Sequence, residues 1–390
     1  MSQSSKHLVH GMGVEPAEPD WPPLTLPELD KLLSRYPEAC GARELRWLSP
    51  RPLSAAALVR ATSGTEFFVK RHHVSVRTQA GLAEEHGFMA YLADRAAPVV
   101  RVLANIEGQT ASVSEDGEWT YEVHSLGEGD DVYRDAISWS PFITLEHARS
   151  AGRTLARLHQ AAQGYDAPTR GAAPLIGGFT IFGDSKDPIA AAQRYVAARP
   201  ALAADLARRP DWTGELERWH LPFYERLQPQ LAKLEPLWTH NDLHASNLLW
   251  RGDEAATVID FNLADRAFAV HDLAVAIERN AIEWVELDAK GEKAVHADAA
   301  CALIKGYEEV RKLTDAERAA LPNLLPLCHV DFALSELDYF VGVTKSAENA
   351  ELAYRYAVDH TAWFASHAGT GLLHRIQATL GESAGIHQIE

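Results

Sequence analysis

Behind Thr25, a good helix-capping residue, "TLPELDKLLSRYP" sets Leu29, Leu32 and Leu33 at helical spacing. A short helix is predicted there, after a polar, Pro- and Gly-rich start over residues 1–24. Between 41 and 72, "GARELRWLSPRPLSAAALVRATSGTEFFVKRHH" reads as three strands broken at "SPRPLS" and "TSGT", an antiparallel meander. "GLAEEHGFMAYLAD" then places Leu82, Phe88, Met89 and Leu92 on one broad helical face. "APVVRVLANIEG" and "GEWTYEVHSLGEG" return to strand character.

Beyond Gly129 the pattern is mostly helical. In "TLEHARSAGRTLARLHQ", Thr144 can cap, and Ala148, Ala151, Leu155 and Leu158 form a stripe. Helix-rich stretches at 188–235 and 291–368 bracket a strand-like patch at 248–262. This predicts an α+β chain in which residues 1–38 form a tail and short helix, 39–127 a small β-rich lobe with one helix, and 128–390 a larger helical lobe. Ligands favour the cleft such lobes enclose.

Composition narrows the function. At 390 residues and 46% hydrophobic content the chain can bury a substantial core. No apolar run approaches the ~18 residues of a membrane span, and the first residues lack a signal-peptide core, so a cytoplasmic protein without a membrane partner is expected. Cys40, Cys301 and Cys328 show neither a disulfide framework nor a CxxC metal spacing. The formal charge of -17 disfavours a nucleic-acid partner, which would require lysine and arginine on phosphates.

The chemistry concentrates in "HNDLHASNLLW". His240, Asp242 and His244 alternate and would share one face of a strand, a pattern compatible with zinc. Alternatively, H-x-D-x-x-x-x-N is the spacing of a phosphotransfer catalytic loop. There Asp242 takes the proton of an attacking hydroxyl and Asn247 binds Mg²⁺. "WRGDEAATVIDFNLAD" follows as two short strands ending in Asp260 beside Phe261, placed to bridge Mg²⁺ to nucleotide phosphates. Upstream, "EFFVKRHH" puts Lys70 at the end of the third strand, suited to the α and β phosphates. Glu85 on the next helix is the expected partner of Lys70, preferred to Glu84 because Phe88 and Leu92 share its inward face.

In this order, the elements resemble the group of aminoglycoside phosphotransferases, choline kinases and type II homoserine kinases. Their HGDLHPGNLL and IDFxxA appear here as "HNDLHASNLL" and "IDFNLA", and the resemblance spans roughly residues 40–365. It implies a bilobal protein-kinase-like fold, with ATP and Mg²⁺ used to phosphorylate a small molecule. It also implies structural roles for His240 and for Asp272 in "HDLAVAI". The backbone of Glu122, Val123, His124 and Ser125 in "YEVHSLGEG" becomes the hinge that meets adenine. Asn241 replaces the usual Gly, and Ala245 and Ser246 replace Pro-Gly, which implies a less tight loop. The turn "SPRPLS" has no glycine, so other backbone amides or Ser49 and Ser54 must meet phosphate there.

The acceptor side is expected in the helical half. Along "LLPLCHVDFALSELDYFVG", Asp331, Ser335 and Asp338 share a polar face, which suits either solvent or a cleft wall presenting Asp331 and Asp338 to hydroxyl or amine groups. "ISWSPF" and "FTIFGDSKDP" are aromatic-bearing loops that can also reach the cleft. The expected activity is phosphorylation of a hydroxyl on an amino alcohol, sugar or aminoglycoside. A protein serine/threonine kinase is the runner-up, though no APE motif follows Asp260; a nucleotide-binding pseudokinase is the third reading.

Overall fold

The apolar runs between 42 and 73 form strands Ala42–Leu48 (β1), Ala55–Ala61 (β2) and Glu66–His73 (β3), each antiparallel to the next. The computed structural model describes residues 7–10, 15–51, 53–137, 139–170, 174–183, 185–209 and 211–385. Pro52 of the "SPRPLS" turn, and Ser138 and Asp184 of the two aromatic-bearing loops, lie outside them. The described residues divide into two units: one runs to Glu128 and includes Arg170; the other covers Gly129–Thr169 and continues from Pro174.

In the first unit, Ala111–Val113 (β4) and Trp119–Ser125 (β5) complete an antiparallel sheet of order β1-β2-β3-β5-β4. The β3–β5 register sets Lys70 opposite Glu122. Helix Leu26–Leu33 (α1) starts at Thr25 with a reciprocal cap to Glu28. Leu29 and Leu33 join Tyr36, Val59, Phe67, Val69 and Val123 in one core, so this helix is part of the sheet's own packing. Helix Gln79–Ala93 (α2) buries Leu82, Glu85, Phe88, Met89 and Leu92.

In the second unit, Thr144 caps helix Leu145–Ala162 (α3). This helix packs on Ala297–Val310 with backbone in close approach at Gly152 and Gly306: a Cβ on Gly152 would lie 2.1 Å from the Leu303 carbonyl oxygen. Strands Pro236–Thr239 (β6) and Asp265–Phe268 (β9) pair antiparallel, with Thr239 opposite Asp265. The hairpin Leu248–Arg251 (β7) and Glu254–Val258 (β8) lies between them in sequence. Helix Ala269–Ala281 (α4) follows β9 and is buried along its whole length. Val330–Tyr339 (α5) and Ala347–Phe364 (α6) come later in the chain. Among the described residues no helix is long and apolar enough to cross a membrane.

Candidate active site

The β6–β9 pairing brings the start of residues 240–247 beside residues 259–264. Asp272, in the first turn of α4, fixes the loop from below. Its Oδ2 accepts the His240 amide at 2.8 Å and its Oδ1 the Asn241 amide at 2.9 Å, while Nε2 of His159 on α3 donates to Oδ2 at 3.0 Å. Burial alone would raise this carboxyl; the hydrogen bond and charge of His159, with smaller help from His240, hold it below the ordinary aspartate range. Asn280, two turns along α4, accepts the Ala245 amide and donates to the Leu243 carbonyl.

Asn241 has φ 60°, in the left-handed region. Its Oδ1 accepts from the Thr239 hydroxyl at 2.8 Å, and its Nδ2 donates to the carbonyls of Leu263 and Asp265, each at 3.3 Å. The asparagine thus supplies the turn expected of glycine and stitches the loop to Leu263 and Asp265, just past Asp260. Nε2 of His240 donates to the Ile259 carbonyl at 3.0 Å, and Phe261 packs edge-on to the same ring. Asp260 itself has φ 63°, a strained conformation for a non-glycine residue and one that clusters at functional sites.

Asp242 is half-buried. Nδ2 of Asn247 donates to its carbonyl at 2.9 Å and to its Oδ2 at 3.3 Å, which leaves the Asn247 amide oxygen as an acceptor. Nε of Arg279 stands 2.9 Å from Oδ1. Burial pushes the carboxyl up to about 6, against the pull of Arg279 and His240; the negative charge of Asp260 adds to the rise. An amide oxygen and two mutually repelling carboxylates are hard oxygen donors around a spot that favours a small divalent cation. His244 is 3.8 Å from Oδ2 of Asp242. Both ring nitrogens of His240 are taken, Nδ1 by the Asp242 amide, so the alternating trio does not converge on one point.

In the first unit, Nζ of Lys70 lies 4.0 Å from Oε1 of Glu122, its cross-strand neighbour, and both are buried. Glu122 also receives Nε2 of His72, His86 and His124 at 3.0, 2.9 and 2.8 Å. Burial works to raise its carboxyl, but His124, then His72 and His86, hold it well below the usual range. Glu85 forms an ion pair with Arg170 at 3.3 Å, and Arg170 also donates to the Gly81 carbonyl. Along β5, Val123 accepts the Leu103 amide and Ser125 donates to the Arg101 carbonyl, while β3 pairs with the opposite edge. The hinge backbone up to Ser125 is therefore already engaged on both sides.

The polar face of α5 clasps the protein's own chain. Asp331 is fully buried and accepts the amides of Thr180 and Ile181 at 2.5 and 2.6 Å, and Ser335 accepts that of Ile176. Asp338 pairs with Arg199 at 3.4 Å. The adjoining face, with Phe332 and Glu336, is the one near Arg279, and sequence reasoning passed it over together with Arg279, Asn280 and His159. Two charged residues inside apolar helices were the available signal.

The sequence pattern of the phosphotransferase enzyme family matches residues 50–313. The homoserine kinase of Gluconobacter oxydans (strain 621H) is 33% identical over 189 residues, covering 48% of this chain and 51% of that protein. The chain thus spans about half the length of the curated relatives it matches. The structure of a microcompartment-associated aminopropanol kinase aligns over 87% of this chain and 97% of its own, with a TM-score of 0.57 at 20% identity. Amicoumacin kinase in complex with AMP-PNP, Ca²⁺ and Ami aligns over 85% and 92%, with a TM-score of 0.53 at 15% identity. The fold is α+β and protein-kinase-like, and the chain belongs to the phosphotransferase enzyme family.

Proposed function

We propose that this protein transfers the γ-phosphate of ATP to a hydroxyl group of a small polar metabolite. The observation that carries this reading is the fixed placement of Asp242 against Asn247, in a loop anchored by Asp272 and tied by His240 to the Ile259 carbonyl beside Asp260. The names of the relatives and neighbours, homoserine kinase, aminopropanol kinase and amicoumacin kinase, agree with a hydroxylated small-molecule acceptor.

In this reading Asp242 receives the hydroxyl proton as the oxygen attacks the γ-phosphorus and the bond to the β-phosphate oxygen breaks, releasing ADP. A carboxyl pushed up to about 6 is a better proton acceptor than an ordinary aspartate, yet is still mainly ionised at neutral pH. Asn247 and Asp260 would hold Mg²⁺, which neutralises charge on the transferred phosphate. Lys70 meets the α and β phosphates, with Glu122 steadying it across the sheet. Glu85 supports that side through Arg170. Because the hinge backbone is paired as far as Ser125, the groups that meet adenine begin just beyond it.

A thermal-shift and ATP-consumption screen of amino alcohols, hydroxy amino acids, sugars and aminoglycosides tests the reading. It expects ATP with Mg²⁺ to raise the melting temperature and one acceptor class to stimulate ATP consumption. No nucleotide binding under any metal condition would refute it.

A further inference from the structure

Two buried charged side chains beside Asp242 have no part in the mechanism above. Arg279, on α4, is 5% exposed; its guanidinium carbon lies 4.9 Å from the centre of the Trp139 ring and 5.1 Å from that of Phe332. Among the described residues its one ion pair is from Nε to Oδ1 of Asp242 at 2.9 Å, and Nε makes no hydrogen bond there. The terminal nitrogens make no hydrogen bond with any described residue. Glu336, on α5, is 4% exposed, and its Oε2 has no hydrogen-bond partner among the described residues. Four residues after Phe332, it lies on the helix face that Phe332 shares.

Burying a guanidinium and a carboxyl with polar atoms that lack hydrogen bonds among the described residues is costly if nothing binds them. Such a cost persists where a ligand completes the pairing. The fork's planar donors match a carboxylate. The buried carboxyl, pushed up to about 8 by burial against the pull of Arg279, would ionise when an ammonium group arrives. The walls are aromatic: Trp139 packs edge-on against Tyr356 at 6.0 Å, and Trp139 holds φ 65°, strained for a bulky residue. With Nε and Oδ1 2.9 Å apart, an anionic group on Arg279 would lie only a few bonds from a hydroxyl presented to Asp242, a separation that suits a small molecule.

We propose that Arg279 and Glu336 form the acceptor-recognition subsite and that the acceptor is a small hydroxy amino acid, its carboxylate held by Arg279 and its ammonium by Glu336. The assignment rests on the reading of Asp242 as the group that receives the hydroxyl proton.

Matched ligands test it by calorimetric titration in the presence of Mg²⁺ and a non-hydrolysable ATP analogue. L-homoserine is compared with 3-amino-1-propanol, which lacks the carboxylate, and 4-hydroxybutanoate, which lacks the ammonium. L-serine is compared with ethanolamine and 3-hydroxypropanoate in the same way. One amino acid is expected to bind at least about tenfold more tightly than either truncated partner, as charge-assisted hydrogen bonds require. Arg279→Gln should erase its advantage over the amino alcohol, Arg279→Lys should restore part of it, and Glu336→Gln should erase its advantage over the hydroxy acid.

If an amino alcohol binds as tightly as its amino acid, or if neither amino acid binds a protein that still binds the ATP analogue, the subsite assignment falls and the phosphotransferase reading stands. Loss of ATP-analogue binding by the wild-type protein would overturn both. Equal falls in turnover on every acceptor, with binding unchanged in Arg279→Gln, would also overturn the assignment, since Arg279 would then serve the transferring phosphoryl group. Should the variants fail to fold, the wild-type ligand series decides by itself.

Discussion

The backbone amide of Asn241 donates to Oδ1 of Asp272 at 2.9 Å, and this bond holds the residue before Asp242 in a left-handed turn. An alanine at 241 loses the side-chain bonds and also strains the turn, whereas a glycine loses only the bonds. The left-handed conformation costs an L-residue roughly 1–2 kcal/mol, part of which glycine's looser unfolded chain offsets. Chemical denaturation is expected to show Asn241→Gly more stable than Asn241→Ala by on the order of 0.5–1 kcal/mol. Equal stabilities would mean that the turn relaxes when its side chain is removed.

Asp242→Asn should leave the fold and nucleotide affinity intact and lower kcat by roughly 10² to 10⁴, the range for loss of a general base. Turnover on the best acceptor, measured beside calorimetric ATP affinity, checks this. Activity within a few-fold of wild type would remove Asp242 from the proton-accepting role.

Lys70→Ala should weaken ATP binding about tenfold or more and leave adenosine nearly unaffected, because only ATP carries the phosphates its ammonium meets. Glu122 keeps its three histidine partners in the variant, so the sheet should persist. Equal losses for ATP and adenosine in paired titrations would show that Lys70 acts through the structure of the sheet.

Glu336 gives the chain a specific pH response. Its carboxyl is raised from 4.5 to about 8 in the folded protein, so folding favours the protonated form. That contribution is complete below about pH 4.5 and is lost as pH rises towards about 8. Without ligand, the melting temperature of wild type should therefore fall relative to Glu336→Gln between pH 5 and pH 8, on the order of a few °C. Parallel melting curves across that interval would contradict the burial argument.

Reading the sequence reached the elements whose signals are local. The meander, the capped helices and the Asp242, Asn247 and Asp260 loop all rest on short-range spacing and turn chemistry. It reached less where the partner comes from a distant element. Glu122 meets Lys70 only through the β3–β5 register, and Arg170 reaches Glu85 across 85 residues of chain. On α5 the periodicity separated polar from apolar faces, but nothing local told which face met another segment. So Asp331 clasps residues 180–182, while Glu336 next to that face lies near Arg279. Arg279 itself was hidden because a helix buried all round shows no polar stripe.

Helix α4 carries Asp272 in its first turn and Arg279 seven residues later, near its end. One rigid rod thus calibrates two tasks at once, with about 10 Å of helix between them. Its early turn holds the loop at His240 and Asn241, and its late turn holds it again through Asn280 while carrying Arg279, the residue proposed to meet the acceptor. Substitutions at Arg279 can retune acceptor choice only while Asn280 is kept, because Asn280 holds the loop at Leu243 and Ala245, so position 279 and not the whole last turn is the place to diversify in a library seeking new acceptors. Changes around Asp272 would disturb every acceptor alike.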